Sequence, residues 1–252
     1  MGFLHDGHLT LLDRARAVAD HVVLSLFVNP LQFGPSEDLA TYPRDEARDA
    51  ALVEQRGADT LFAPADTEMY PARPEILITA PELTNHLCGV YRPGHFEGVL
   101  TVVAKLFNIV QPNVAVFGQK DFQQSVLIRR MVADLNLPLT IEVAPIVRED
   151  DGLALSSRNV YLDRQQRASA VALSRALSAS AAAFTRGEHS AEALLAEARA
   201  ILSAEPAVRV QYLELVDEHS LESVHAARAG NVIAIAAFVG KTRLIDNMIL
   251  GT

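Results

Sequence analysis

A single cysteine, Cys88, excludes an internal disulfide and fits a reducing compartment. Its expected role is a small buried or half-buried side chain, not a nucleophile. No apolar run approaches the length needed to span a bilayer. The opening Met1-Gly2-Phe3-Leu4-His5-Asp6 lacks the basic and apolar regions of a secretory signal, and Asp6 breaks the myristoylation pattern. Basic charge is also in deficit. With 22 Lys and Arg against 31 Asp and Glu, the net charge of −9 argues against a broad nucleic-acid face or an anionic membrane surface. The expected setting is therefore cytoplasmic, with no nucleic-acid or membrane partner, and any anionic ligand must be gripped by a local cluster of donors. Repeats and low-complexity tracts are absent, and the Ala/Ser run from Ser178 to Ala183 reads as helix filler.

What is present is enough apolar material for a core. Half of the 252 residues are hydrophobic, enough for one large domain or two smaller ones. Leu9, Leu12, Ala15 and Ala19 recur at helical spacing, predicting a helix from about His8. His21 to Val28 is almost unbroken apolar, the pattern of a strand covered on both faces. Asn29-Pro30 ends it. A loop through Gly34-Pro35-Ser36 and Tyr42-Pro43 leads to a helix over Arg44 to Arg56 and a strand at Thr60 to Ala63. The Pro- and Gly-rich stretch 64–97 reads as irregular apart from a strand at Ile76-Leu77-Ile78.

Gly98 to Val110 reads as a mostly buried helix with a polar stripe of Thr101, Lys105 and Asn108. A strand at Val114 to Phe117, a helix from Lys120 to Leu135 and a strand at Leu139 to Ala144 follow. Alternating strands and helices indicate a Rossmann-like, doubly wound parallel sheet. Beyond a boundary near Val147 to Gly152, helices at Asp163 to Arg186 and Ser190 to Leu202 precede strands at Val208 to Val216, Asn231 to Val239 and Thr242 to Leu250. The last two strands form a hairpin through Gly240-Lys241. The expected organisation is an α/β domain over 1–147 and a smaller α+β lid domain over 148–252.

His5-Asp6-Gly7-His8 sits where loop becomes helix, at the positive end of the helix dipole, where unbonded N–H groups suit an anion. Taken alone, such a pair is usually a helix cap with a solvated neighbour and occasionally half a metal site, but zinc would need further ligands. Gly118-Gln119-Lys120-Asp121-Phe122-Gln123-Gln124 lies at a strand-to-helix turn, where α/β folds bind ligands. Helical spacing puts Lys120 and Gln124 on one face; Lys120 suits phosphate oxygens, and Asp121 a ribose hydroxyl or magnesium. A cap with a surface Lys–Asp pair fits the same letters. Leu155-Ser156-Ser157-Arg158-Asn159 offers hydroxyls and a guanidinium, the parts of a phosphate clamp or of a plain turn. Asn29-Pro30-Leu31-Gln32-Phe33 is an exit loop whose Gln32, with Gln124, suits a small polar acid. Tyr91 to Gly98 is a positive edge or a surface loop, with no role assigned to His95. Arg243 and Asp246 read as a solvated or interface face.

Four motifs in this order, Met-Gly-Phe-Leu-His-Asp-Gly-His, Asn-Pro-Leu-Gln-Phe, Phe-Gly-Gln-Lys-Asp-Phe-Gln-Gln and Leu-Ser-Ser-Arg-Asn, resemble those of the pantothenate synthetase (pantoate–β-alanine ligase) family. That family shares a His-x-Gly-His phosphate loop with other nucleotidyltransferase-like enzymes. The resemblance implies ATP-dependent ligation: pantoate attacks the α-phosphate to give pantoyl adenylate and pyrophosphate, and β-alanine then displaces AMP to form pantothenate. It implies catalytic roles for His8, His5, Lys120 and Arg158. It implies ATP binding by Met1, Gly2, Phe3, Leu4, His5, Asp6, Gly7, His8, Gly118, Gln119, Lys120, Asp121, Val147, Leu155, Ser156, Ser157 and Arg158. Gln32 and Gln124 match pantoate positions, with Gln32 also near β-alanine. ATP, magnesium with no named protein ligand, and a homodimer are implied as well. Imidazoles, ammonium and guanidinium are expected on one triphosphate.

The family carries roughly thirty residues ahead of the match to Met1, including a first strand that leads into the phosphate loop. Here the loop opens the chain. A misassigned or truncated start accounts for this ahead of true absence of the strand; its loss would leave Val22–Val28 and Val114–Phe117 with unpaired ladder groups, and the expectation is that the chain as written is poorly stable or inactive. Another adenylylating or cytidylylating enzyme, or a silent nucleotide-binding protein, is the competing reading.

Overall fold

The computed structural model describes residues 2–35 and 37–251. Asp6–Val18 (α1) buries Leu9 and Leu12, the two leucines one turn apart in its apolar stripe. Val23–Ser25 (β1) leads to Glu46–Gln55 (α2), which starts at Asp45, whose side chain accepts from the Arg48 N–H. Thr60–Phe62 (β2) then pairs with β1 in parallel, Leu24 opposite Leu61. Around these elements Leu4, Leu9, Leu12, Val22, Leu24, Leu26 and Val53 form one apolar cluster.

Three short helices follow: Asp66–Met69 (α3), Pro81–Thr84 (α4) and Leu87–Tyr91 (α5). His95–Val110 (α6) begins after Gly94, whose φ of +79° a side-chain-bearing residue adopts only with strain. It buries nine residues, among them Phe96, Leu100 and Phe107. Val114–Gly118 (β3), Phe122–Asp134 (α7) and Thr140–Ala144 (β4) complete this part, with β3 and β4 parallel and in register from Val114–Thr140 to Gly118–Ala144.

Two compact units result. One holds the described residues up to Gln119 together with Gln124–Pro145; the other holds Lys120–Gln123 and the described residues from Ile146 onward. Among the described residues, the parallel strands of the first unit form two pairs, β1–β2 and β3–β4, with no strand bonded between β1 and β3. The α/β reading is borne out, with parallel strand pairs in the first unit and an antiparallel three-stranded sheet in the second.

The second unit packs helices on an antiparallel sheet. Arg164–Ala170 (α8), Ala172–Thr185 (α9) and Ala191–Ser203 (α10) precede Val208–Val216 (β5), Val232–Val239 (β6) and Thr242–Ile249 (β7), in the order β5-β6-β7. Asp163 and Ser190 cap α8 and α10 through their side chains, as their residue types predict. Leu173, Leu177, Leu194, Ile233, Ile235 and Val239 lie in its core, all essentially solvent-free. The β6–β7 hairpin turns at Gly240-Lys241, in register from Val239–Thr242.

Four expectations are corrected. The strand expected over His21 to Val28 is reduced to Val23–Ser25, because Asn29 and its loop are drawn into other bonds. Ile76-Leu77-Ile78 is not a strand: Ile76 is 84% exposed, and the Ile78 N–H donates to the Thr101 hydroxyl instead of to a neighbouring strand. The helix expected over Asp163 to Arg186 divides at Val171. Asp246 is 4% exposed and paired with Arg148, so it is no solvated face.

Candidate active site

The histidine loop is held from behind. His5 is the N-cap of α1, and its carbonyl accepts from the N–H groups of His8 (2.7 Å) and Leu9 (3.1 Å). That turn stacks the two imidazoles with centroids 4.0 Å apart and planes 27° from parallel. The preceding residue, Leu4, is fully buried, and both of its backbone polar groups are claimed by α2. Its N–H donates to Asp49 Oδ1 at 2.8 Å, and its carbonyl accepts from Arg48 at 3.0 Å. Arg48 also lies over the Phe3 ring, 5.0 Å from its centroid, and donates to Asp49 at 3.1 Å. Phe3 holds a φ of +52°, an uncommon conformation for a residue with a side chain, which this clamp stabilises. Two imidazoles therefore stand at a helix N-terminus whose first N–H groups lack intrahelical acceptors. Nothing local in the sequence marks buried Asp49, because its partner lies 45 positions away.

Gln32 ends a 3₁₀ turn, Pro30–Gln32, that packs against the start of α6. Asn29, 2% exposed, organises it. Its Nδ2 donates to the Gly98 carbonyl (3.1 Å) and Gln32 Oε1 (3.3 Å); its Oδ1 accepts from Leu31 N (3.3 Å) and the Tyr70 hydroxyl (2.9 Å). Burial, reinforced by Asp66, pushes the Tyr70 phenol up to about 12, so it stays a donor. The Gln32 carbonyl accepts from His95 Nδ1 (2.8 Å) and from Arg92 (3.3 Å). Arg92 in turn forks onto both oxygens of Glu37 at 2.7 and 2.6 Å. Burial works to raise the Glu37 carboxyl, but the Arg92 bonds and charge bring it below its ordinary value. His95, given no role from the sequence, is thus a brace of the Gln32 backbone, and so is Arg92.

Gly118 closes β3, and Gln119, Lys120 and Asp121 form a 3₁₀ turn before α7. This corrects the helical-face reading: Lys120 precedes the α-helix, so i, i+4 spacing does not place it beside Gln124. Lys120 Nζ lies 3.6 Å from Asp121 Oδ1, and Gln124 is half-buried on α7.

In the second unit, the Leu155 N–H donates to the Val147 carbonyl at 3.0 Å, so these two predicted nucleotide residues are adjacent. Ser156 caps a 3₁₀ turn, Ser157–Tyr161, by accepting from the Arg158 N–H at 3.2 Å. Asn159 braces the turn from within, donating to the Ala154 carbonyl and to Glu149, both at 3.1 Å. Glu149 also takes a forked pair of bonds from Arg167 at 3.0 and 2.6 Å.

Gly2 and Ser157 are buried, Asp6 is exposed, and Gly7 lies half-buried in the first turn of α1. Met1 and Ser36 lie outside the described residues. Cys88 is buried, as expected of a packing side chain.

The family model for pantoate–β-alanine ligase matches residues 1–249. The pantothenate synthetase of Geobacter sulfurreducens is 52% identical over 251 residues, covering 100% of this chain and 89% of that protein. Pantothenate synthetase 1 of Bradyrhizobium diazoefficiens is 55% identical, covering 99% and 88%. Among solved structures, the pantothenate synthetase of Thermus thermophilus superposes with a TM-score of 0.96 at 47% identity, covering 99% of this chain and 90% of that one. The pantoate–β-alanine ligase of Francisella tularensis, complexed with β-γ ATP and β-alanine, gives 0.80 at 34% identity, covering 100% and 88%. On residues and backbone alike, the chain belongs to the pantoate–β-alanine ligase family.

Proposed function

We propose that this chain joins pantoate to β-alanine in two steps driven by ATP. A pantoate carboxylate oxygen attacks the α-phosphorus, a P–O bond forms, and pyrophosphate leaves. The β-alanine nitrogen then attacks the acyl carbon, AMP leaves with the carboxylate oxygen, and the amine proton passes to solvent or a base. The observation that carries the reading is the stacked His5–His8 pair at the α1 N-terminus, backed by the Arg48–Asp49 clamp on Leu4. Such a site stabilises charge that develops on phosphate oxygens, and adenylation needs positioned donors more than a nucleophilic side chain.

In this reading His5 and His8 donate to the phosphates, with Gly2, Phe3, Leu4, Asp6 and Gly7 shaping the loop around them. Lys120 and Arg158 supply fixed positive charge, and Gly118, Gln119, Asp121, Val147, Leu155, Ser156 and Ser157 line the nucleotide. Gln32 and Gln124 hold pantoate through uncharged amides. Magnesium enters as the ATP complex; among the described residues no group of three His, Cys, Asp or Glu side chains is disposed to hold an ion. No helix among them is long and apolar enough to cross a membrane. The domain roles follow: residues 1–147 take nucleotide and pantoate, and 148–252 act as the lid. A homodimer in the cytoplasm completes the proposal, and sedimentation checks the dimer.

Exchange of labelled pyrophosphate into ATP tests the first step. Exchange that needs pantoate but not β-alanine, followed by one AMP per pantothenate once β-alanine is added, is the expected result. Exchange indifferent to pantoate would overturn the assignment.

A further inference from the structure

We propose that Asp246 and Asn247, neighbours on β7, are positioning residues that fix both nucleotide-holding segments of the second unit: the Lys120 turn and the loop running into Ser156–Arg158. This rests on the assignment of those segments to ATP. Both side chains are nearly solvent-free, 4% and 2% exposed, on an edge strand. Alternation along a strand sends adjacent side chains to opposite faces, so one dipeptide reaches two different segments.

Asp246 takes a forked pair of bonds from Arg148, at 2.7 and 2.9 Å. Arg148 also donates to the Gly152 carbonyl at 3.0 Å, and its backbone bridges to Ala154. These contacts fold residues 148–154 back on themselves and set where Leu155 and Ser156 begin. Asn247 donates from Nδ2 to the Lys120 carbonyl at 3.1 Å, across 127 positions of sequence. Its own N–H donates to Asp246 Oδ1 at 2.8 Å, so one carboxylate ties Arg148 to the residue that grips the lysine turn. β7 also packs on the Ser157–Tyr161 turn. Stability alone does not call for this arrangement, since apolar residues of similar volume often replace such an ion pair without cost. What the polar pair adds is register: Lys120 and Arg158 are held from a single strand.

The test uses the full chain, reading affinity for a non-hydrolysable ATP analogue by calorimetry and KM for ATP and for pantoate in the ligation assay. Asn247→Ala should weaken analogue binding and raise the KM for ATP about tenfold, the size expected when a partly buried carbonyl loses its donor. The KM for pantoate should stay within about twofold. In a Lys120→Ala background the same change should add less than about twofold, because the effect passes through Lys120. Asn247→Asp keeps the volume but faces an acceptor with an acceptor, and Asp246→Asn loosens Arg148; both should reproduce the ATP-specific loss.

Equal loss with and without Lys120, loss shared by pantoate, or a folded variant with parental ATP affinity overturns the proposal. So does failure of all three variants to fold, which marks a purely structural role. A parent chain that binds the analogue but makes no pantothenate overturns the ligase reading alone. One that binds no nucleotide overturns both.

Discussion

Replacing Gly98 by alanine tests the Gln32 loop through a single methyl group. Gly98 lies one turn into α6, where the helix backbone meets the Leu31–Gln32 backbone with no side chain between them. A Cβ built there stands 2.5 Å from the Leu31 carbonyl carbon and 2.8 Å from the Gln32 nitrogen, against an ordinary contact of 3.4–4 Å. Both obstacles are main chain, so no side-chain rotation relieves them, and the loop must retreat by about 1 Å. That movement strains the Asn29–Gly98 bond and shifts the carbonyl that His95 and Arg92 hold. Overpacking of this kind costs about 1–3 kcal/mol. A displacement near 1 Å at a substrate-positioning residue can lower the rate by up to about a hundredfold. The expected result is a lower Tm and a kcat/KM for pantoate reduced roughly ten- to a hundredfold, with the KM for ATP little changed. Gly34→Ala is the matched control, because its Cβ meets only the Glu37 side chain at 3.7 Å. Parental kcat/KM for pantoate in Gly98→Ala, at unchanged Tm, refutes the reasoning.

Tyr70→Phe removes the hydroxyl that Asn29 Oδ1 accepts and should lower unfolding stability by about 1 kcal/mol, read by urea titration. Asp49 is 1% exposed, and Asp49→Ala orphans the Leu4 N–H and one partner of Arg48; it should raise the KM for ATP and lower Tm more than Asp49→Asn, which keeps an acceptor. Identical behaviour of the two Asp49 variants would remove the clamp from the argument. Glu37 is held below its ordinary value when folded, so its contribution is present above the unfolded value of about 4.3 and is lost as pH falls through the depressed folded one. The gap in urea midpoint between the parent and Glu37→Gln should therefore be open near neutrality and close as pH falls below the ordinary glutamate range. A gap that widens on acidification would reverse the sign and sink the account.

The elements easiest to read were those whose signals are local. The apolar stripe of α1, the buried run of α6, the Asp163 and Ser190 caps and the Gly240-Lys241 hairpin all stand as their residues predict. The errors fall where tertiary bonds override local preference. Ile76-Leu77-Ile78 has strand letters, but the Ile78 N–H is taken by Thr101 across 23 positions. β1 stops at Ser25 although apolar residues continue to Val28, because Asn29 directs the chain into the Gly98 and Tyr70 bonds. The short helices α3 to α5 carry too few residues for any periodicity to show.

The site divides along the same line. His5, His8, Lys120, Ser156 and Arg158 stand out in sequence because phosphate chemistry draws on few residue types, set in compact motifs at loop–helix junctions. The residues that brace these motifs and the Gln32 loop have no such signature. Asp49 reaches Leu4 over 45 positions, Glu37 reaches Arg92 over 55, and Asp246 reaches Arg148 over 98. Each is a carboxylate that composition counts as surface charge, and Asp246, alternating with apolar residues on the final strand, reads from the sequence as a solvated or interface face. Burying a carboxylate is unfavourable unless donors compensate it, so a buried Asp held by donors marks a position where geometry outweighs solvation. Among the described residues two such carboxylates, Asp49 and Asp246, each stand one bond or one residue behind a segment proposed to hold nucleotide. The net charge of −9 thus misleads in one respect: part of the acidic excess is buried and bonded to Leu4, Arg48 and Arg148, bracing segments proposed to receive the anion.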